Sequence, residues 1–302
     1  MQIGMIGLGK MGYQLSLNLV DKEYDVVAFD ANHESMKKIS SMGVQTADSI
    51  NQLVSNLSKP RTVWMMVPAG DATQSVFEQL LPFLEEGDRI IDGGNAHYKD
   101  SLKRNEKCEE KGIYFFDCGT SGGVDGARNG ACTMIGGNEE VFKEIEPIFK
   151  DITVENGYLY SGKAGSGHFL KMVHNGIEYG MMQSIAEGFE LMHESEYKFD
   201  NAAVARLWNN GSVIRCWLME LMHDAFSKDA ELEAIKGVMH SSGEAKWMLE
   251  TALDKNVATP VVALSLLMRY RSLKEDTFSG KVVAALRNEF GGHAVEAAQK
   301  PQ

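Results

Sequence analysis

The stretch MQIGMIGLGKMG, residues 1–12, decides how the first half of this chain is read. Residues 3–7 (IGMIG) form a short apolar run that ends in GLGKMG, residues 7–12, and a helical pattern continues from about Lys10 to Asp21. Three glycines at this spacing, between a strand and a helix, have separate uses. Gly7 permits a tight turn, Gly9 lets backbone approach a pyrophosphate, and Gly12 lets helix and strand pack closely. The helix start then offers unpaired N–H groups and a partial positive charge to phosphates. Gly7, Leu8, Gly9, Lys10, Met11 and Gly12 are therefore candidate dinucleotide contacts. The plainer reading is a strand–helix turn without a ligand.

Outward from this loop, further apolar runs follow at 25–30 (DVVAFD), 62–67 (TVWMMV), 89–94 (RIIDGG) and 113–117 (IYFFD), with helical stretches between or near them. The runs are continuous rather than alternating, which suits strands covered on both faces. The expected fold class is α/β: an N-terminal Rossmann-type, mostly parallel sheet over residues 1–164, then an all-helical C-terminal domain over 165–302. Amphipathic patterns at 167–195, 200–208, 213–226, 243–256, 259–273 and 280–289 carry the second half. SGKAGSGH, 161–168, reads as the hinge between them, and the tail AQKPQ is expected to fray.

Asp30 ends the second run, where a carboxylate accepts from adenosine ribose hydroxyls and repels a 2′-phosphate. No arginine follows at 31–33, so NAD is favoured over NADP; Lys37 and Lys38 keep NADP as the alternative. The loops VPAG (67–70, with Val67 and Pro68), DGGN (92–95, with Asn95) and GTSGG (119–123, with Ser121, Gly122 and Gly123) all fall at the carboxyl ends of expected strands. In open α/β sheets ligands bind along that rim.

In KMVHNGIEYG, 171–180, Lys171, His174, Asn175 and Glu178 share one helix face at i, i+3, i+4, i+7. Phe169, Met172, Val173, Ile177 and Met181 would make the other faces apolar, so the helix is expected to be buried with its polar stripe lining a site. A solvated stripe is the competing reading. His240 and Lys246 are weaker candidates and read as structural or surface groups.

The chain has 302 residues and a net charge of −12, which argues against general nucleic-acid or anionic-membrane binding. Its four cysteines form no CxxC pair or zinc-ligand spacing, so no metal site is expected and a reducing compartment is. No signal-peptide pattern opens the sequence and no apolar run is long enough to span a bilayer, so the expected location is the cytoplasm.

GLGKMG, DGGNAHYKDS, TSGGVDGA, GSGHFLKMVHNGIEYGMMQ and LRNEFGGHAVE together resemble the 6-phosphogluconate dehydrogenase family, the decarboxylating enzymes of the pentose phosphate pathway and gluconate metabolism. The resemblance runs over nearly the whole chain and is to the short form of that family. It implies that Lys171 is the general base and Glu178 the general acid. It implies that Asn95, Ser121, Gly122, Gly123, His174 and Asn175 contact the sugar acid or orient the nicotinamide. Tyr179, Arg269, Arg287 and His293 match the positions that bind the substrate phosphate. Arg287 and His293 are expected to reach a neighbouring subunit, which implies a homodimer or homotetramer built through the helical domain. Three departures stand out: Ser242, in SGEAKW (242–247), replaces a lysine frequent in the family, Arg269 has Arg271 as a near neighbour, and DAN (30–32) stands where many long forms carry a basic cluster for NADP.

The implied chemistry explains the residue types. Oxidation at C3 of 6-phosphogluconate needs its hydroxyl proton removed, and Lys171 can take it only as a neutral amine. A free lysine titrates near ~10.4, so burial or nearby positive charge must favour the neutral amine by roughly 4 kcal/mol. The β-keto acid then loses CO2, with the ketone oxygen stabilised by protonated Lys171. The enediol is protonated at C1 of ribulose 5-phosphate by a second acid. Glu178 stands seven residues on, about 10.5 Å along a helix. Two alternatives remain: a β-hydroxyacid dehydrogenase acting on a small non-phosphorylated acid such as 3-hydroxyisobutyrate, and a non-catalytic dinucleotide-binding regulator.

Overall fold

The computed structural model describes residues 1–297; the tail AQKPQ lies outside them. The first half alternates strands and helices: β1 (Gln2–Ile6), α1 (Lys10–Asp21), β2 (Asp25–Phe29), α2 (His33–Ser40), β3 (Gln45–Thr46), α3 (Ile50–Ser55), β4 (Thr62–Met65), α4 (Asp71–Leu80), β5 (Arg89–Asp92), α5 (Tyr98–Glu109), β6 (Tyr114–Ser121), α6 (Gly123–Asn129), β7 (Ala131–Gly136), α7 (Glu139–Ile152) and β8 (Thr153–Gly162). The strands form one eight-stranded sheet in the order β3-β2-β1-β4-β5-β6-β7-β8. All pairs through β5–β6 are parallel; β7 runs antiparallel to β6, and β8 pairs parallel with β7. The order reverses at β1, between β2 and β4, which is where an open sheet of this kind opens a crevice at its carboxyl rim.

Successive strand residues enter opposite faces of the sheet, and both faces are covered. Met5, Trp64, Ile91 and Phe116 join Leu15 and Leu19 of α1 and Phe142 and Phe149 of α7 in one core. Their chain neighbours Ile6, Met65, Ile90 and Phe115 join Leu53 of α3 and Phe77 and Leu80 of α4 in the other. This double burial is why the runs read as unbroken apolar stretches.

Three strands were not legible as apolar runs. β3 is two residues long, and β8 is an edge strand with Val154, Glu155 and Asn156 exposed. β7 carries the exposed Cys132 and the polar Thr133, and it extends β6 past the expected end at Asp117 through the register Cys118↔Ile135, Thr120↔Thr133 and Ser121↔Cys132. Gly119, Thr120 and Ser121 are therefore strand residues rather than part of a flexible loop, because a ladder partner supplies order that their local propensity does not.

The second half is helical: α8 (Ser166–His193), α9 (Asn201–Asn209), α10 (Trp217–Lys228), α11 (Glu244–Asp254), α12 (Pro260–Ser272) and α13 (Phe278–Gly291). By internal packing the chain divides between Asn175 and Gly176, within α8, seven residues beyond the Gly/Ser-rich stretch 161–168 read as the hinge. The unit from Gly176 onward has two small cores. One joins Tyr179, Ala245, Val262 and Leu266; the other joins Phe189, Ala205, Met219 and Phe226. α13 buries none of its residues. The expectation that α8 is apolar and covered on all its other faces needs correction: Met172 is buried, but Ile177 and Met181 are exposed. Among the described residues, no helix is long and apolar enough to cross a membrane.

Candidate active site

The glycine loop has the form its spacing predicts. Gly7 adopts φ +99°, and a Cβ there would stand 2.4 Å from the Met66 carbonyl oxygen. A Cβ on Gly12 would meet the Gly7 carbonyl oxygen at 2.0 Å, so α1 can lie this close to the turn only with glycine. A Cβ on Gly9 meets nothing within 4 Å. The protein itself leaves that side of the loop open, and Gly9 caps α1 without a side-chain hydrogen bond, so the loop fits a dinucleotide phosphate group. Asp30 closes the loop from β2: its Oδ2 accepts from Leu8 N–H at 2.5 Å and its Oδ1 from Asn32 N–H at 2.6 Å. The cap of α2 is Asn32, which accepts from Glu34 and Ser35 N–H, so Asp30 is not that helix's cap.

The next two loops pack on one another. Gly94 lies so near the Val67 carbonyl that a Cβ would stand 2.4 Å from its oxygen, and Thr73 donates to the Pro68 carbonyl at 2.8 Å. Asp92, fully buried, accepts from Arg104 at 3.0 Å and from Gly94 N–H at 3.2 Å, tying the DGGN loop to α5. Asn95 adopts φ +53° and uses both ends of its amide on Thr120: Nδ2 donates to the Thr120 carbonyl at 3.2 Å, and Oδ1 accepts from Thr120 N–H at 2.9 Å. Its amide therefore clamps the loop to β6. Gly122 and Gly123 both have positive φ, and a Cβ on Gly123 would meet nothing within 4 Å.

Lys171 is buried to 5% exposure against β6. A Cβ on Gly119 would stand 2.3 Å from Lys171 Cβ, so strand backbone and lysine stem touch. His174 links the polar groups: Nε2 lies 3.1 Å from Ser121 Oγ, and Nδ1 lies 3.0 Å from Asn175 Oδ1 and 3.3 Å from Lys171 Nζ. With an amide oxygen facing it, Nδ1 is best assigned the ring proton, and the Ser121 hydroxyl then donates to Nε2.

Sequence reasoning missed the supports behind Lys171. Asp117, fully buried on β6, accepts from Gly165 N–H at 2.6 Å and His168 N–H at 2.7 Å at the start of α8. Burial pushes its carboxyl up, while the His168 charge and the two N–H bonds draw it back part of the way. His168 Nδ1 lies 2.8 Å from Ser101 Oγ of α5. The available signal was an acid closing the run IYFFD, where an apolar strand residue belongs.

In the unit from Gly176 onward, Tyr179 and Arg269 do come together. The Arg269 guanidinium stacks 3.5 Å from the Tyr179 ring centroid and donates to the His240 carbonyl at 2.8 Å. Ser242 bonds Tyr179 twice: its N–H donates to the Tyr179 hydroxyl at 3.1 Å, and its Oγ lies 3.3 Å from the same oxygen. A cavity of about 820 Å³ is lined by Tyr179, His240 and Arg269 together with Phe189, Met222 and Phe226. Arg287 and His293 sit on or just past α13, joined by His293 N–H donating to the Arg287 carbonyl at 3.4 Å. Among the described residues no hydrogen bond or ion pair connects their side chains to Tyr179 or Arg269. Lys246 pairs with Glu250 on an exposed face of α11.

Residues 2–162 match the family model for the NAD binding domain of 6-phosphogluconate dehydrogenase, and residues 167–277 and 193–302 match that for the 6-phosphogluconate dehydrogenase C-terminal domain. The chain belongs to the 6-phosphogluconate dehydrogenase family. It is 55% identical over 296 residues to a Bacillus subtilis protein named "Putative 6-phosphogluconate dehydrogenase YqeC", covering 98% of this chain and 99% of that one. It is 40% identical over 297 residues to the NAD(+)-dependent, decarboxylating 6-phosphogluconate dehydrogenase of Haloferax volcanii, covering 98% of each. Among solved structures, Plasmodium falciparum 6-phosphogluconate dehydrogenase superposes with a TM-score of 0.84 at 29% identity, over 100% of this chain and 67% of that one. Mycobacterium tuberculosis 3-hydroxyisobutyrate dehydrogenase superposes with a TM-score of 0.73 at 20% identity, over 89% of this chain and 92% of that one, which shows a shared fold alone. Family membership accords with the Rossmann-type sheet and helical second half, and with NAD as the coenzyme of the glycine loop.

Proposed function

We propose that the protein catalyses the NAD-dependent oxidative decarboxylation of 6-phosphogluconate to ribulose 5-phosphate and CO2. The observation that carries this reading is a buried amine, Lys171, seated on β6 with His174, Asn175 and Ser121 around it, in a chain of this family. The dinucleotide would be held by Gly7 to Gly12, Asp30, and the loops at Val67–Pro68 and Asn95. NAD supplies the hydride acceptor. Lys171 takes the proton of the C3 hydroxyl as the C3–H bond breaks, and afterwards returns a hydrogen bond to the ketone oxygen while the carboxylate departs as CO2. The Ser121 hydroxyl, held by His174 Nε2, would orient that C3 hydroxyl with its remaining lone pairs. Glu178, on the same helix, delivers the proton that completes C1 of the product. Tyr179, held by Ser242 and Arg269, forms the phosphate end, where Ser242 replaces a cation by a hydroxyl.

The protein acts as a homodimer or homotetramer in this reading, with Arg287 and His293 serving a neighbouring subunit. The exposed Phe278, Leu286 and Phe290 of α13 support an oligomeric surface. Four free cysteines suit a reducing cytoplasm.

The test is an assay offering 6-phosphogluconate, gluconate and 3-hydroxyisobutyrate with NAD or NADP, following reduced coenzyme and released CO2. The expected result is one mole of CO2 per mole of NADH from 6-phosphogluconate. Coenzyme reduction without CO2, or a preference for 3-hydroxyisobutyrate, rejects the proposal. Lys171→Met is expected to remove turnover and leave NAD binding intact; a Met variant that still turns over means that another group is the base.

A further inference from the structure

We infer that Asp117 is a positioning residue: by seating the first turn of α8 on the end of β6, it sets where Lys171 stands. The inference rests on the role given to Lys171 above. Asp117, Gly119 and Ser121 are alternate residues of β6 and share one face of the strand. Each meets α8 one step further along. Asp117 accepts from His168 N–H at 2.7 Å, Gly119 packs on Lys171 Cβ, and Ser121 Oγ lies 3.1 Å from His174 Nε2. Strand residues two apart thus match helix residues three apart: 117, 119 and 121 against 168, 171 and 174. The middle rung is the lysine.

The lowest rung holds the register. Asp117 divides its two oxygens between Gly165 and His168, so it answers two of the N–H groups that a helix start leaves without intrahelical partners. The seat is tight. A Cβ on Gly136 would stand 2.7 Å from Asp117 Oδ1, and one on Gly167 would stand 2.4 Å from the carbonyl oxygens of both Asp117 and Met134. The turn therefore rests on the backbone of β6 and β7, with little room to settle elsewhere. From the other side, His168 reaches Ser101 of α5, the helix that follows the Asn95 loop. Moving this turn moves Lys171, three residues on, relative to the Gly119 contact and the Ser121–His174 bond.

Two variants test it. Asp117→Asn turns an NH2 toward one of the two backbone donors, and Asp117→Glu keeps the carboxyl group and both acceptors but lengthens the seat by one methylene. Both are assayed well below their melting temperatures. The expected result is a kcat lower by about 10²-fold, KM for 6-phosphogluconate and NAD within about threefold of wild type, and a larger primary isotope effect with C3-deuterated substrate. In parallel, trace acetylation of Lys171, quantified by peptide mass spectrometry without substrate, is expected to change rate in both variants. Lower melting temperatures with kcat and Lys171 acetylation both unchanged would make Asp117 a stability residue only and overturn the inference. Should the wild-type protein fail to oxidise 6-phosphogluconate, the functional proposal is the one that fails, and the acetylation rates alone decide for or against Asp117.

Discussion

The contact between Gly119 and Lys171 makes Gly119→Ala a direct probe of how finely the lysine is placed. An added Cβ would lie 2.3 Å from Lys171 Cβ, 3.0 Å from its Cγ and 3.1 Å from the Gly167 carbonyl oxygen. Non-bonded carbons settle at about 3.5–4.0 Å, so the first pair falls short by about 1.5 Å. A Cβ and a carbonyl oxygen cannot swing aside as a side-chain tip can, so backbone of β6 or α8 has to move. Overpacking of this kind costs about 1–3 kcal/mol of stability. A displacement of ~1 Å at a reacting group costs about 10²-fold in rate, or about 2.7 kcal/mol of barrier. The two effects separate experimentally: thermal unfolding reads the first, and kcat for NADH and CO2 production at a temperature where the variant is folded reads the second. NAD affinity should hold, because Gly119 is not in the glycine loop. A folded Gly119→Ala protein with kcat within threefold of wild type would refute the claim that this contact sets the lysine's place.

Three further outcomes are expected. Asp30→Ala should lower the NAD/NADP ratio of kcat/KM and raise KM for NAD about tenfold or more, since hydrogen bonds to a charged group contribute about 1.5–3 kcal/mol each and both Leu8 and Asn32 lose theirs; an unchanged ratio would show that residue 30 does not discriminate. Arg287→Ala should raise KM for the phosphorylated acid by at least tenfold and leave KM for NAD nearly as it was, and equal changes in both would remove Arg287 from phosphate binding. Burial pushes the Cys108 thiol up to about 12, so at pH 9 it stays protonated in the folded protein and resists iodoacetamide until unfolding. Because the unfolded thiol ionises near ~8.5 and the folded one only near 12, the unfolded state binds fewer protons between them. This stabilising contribution is full below ~8.5 and is lost as pH rises through the folded value. Cys108→Ser should flatten that part of the stability–pH curve, and an identical slope in both proteins would contradict the assignment.

Much of the molecule follows from local patterns. The glycine loop is legible because each glycine answers a constraint within a few residues: the turn at Gly7, the open side at Gly9, the contact of Gly12 with the Gly7 carbonyl. Central strands are legible because burial on both faces writes unbroken apolar runs, and α8 is legible by its period, its capacity for four polar groups on one face included. Other features depend on partners remote in sequence. Gly119 to Ser121 become strand only because β7 pairs with them, Asn95 spends its amide on Thr120, and Asp117 finds its two donors about fifty residues away at 165 and 168. Residue types and period can nominate Lys171 as a base. Its surroundings are made of backbone brought in from β6, and no window of sequence contains both, so its placement belongs to the tertiary structure.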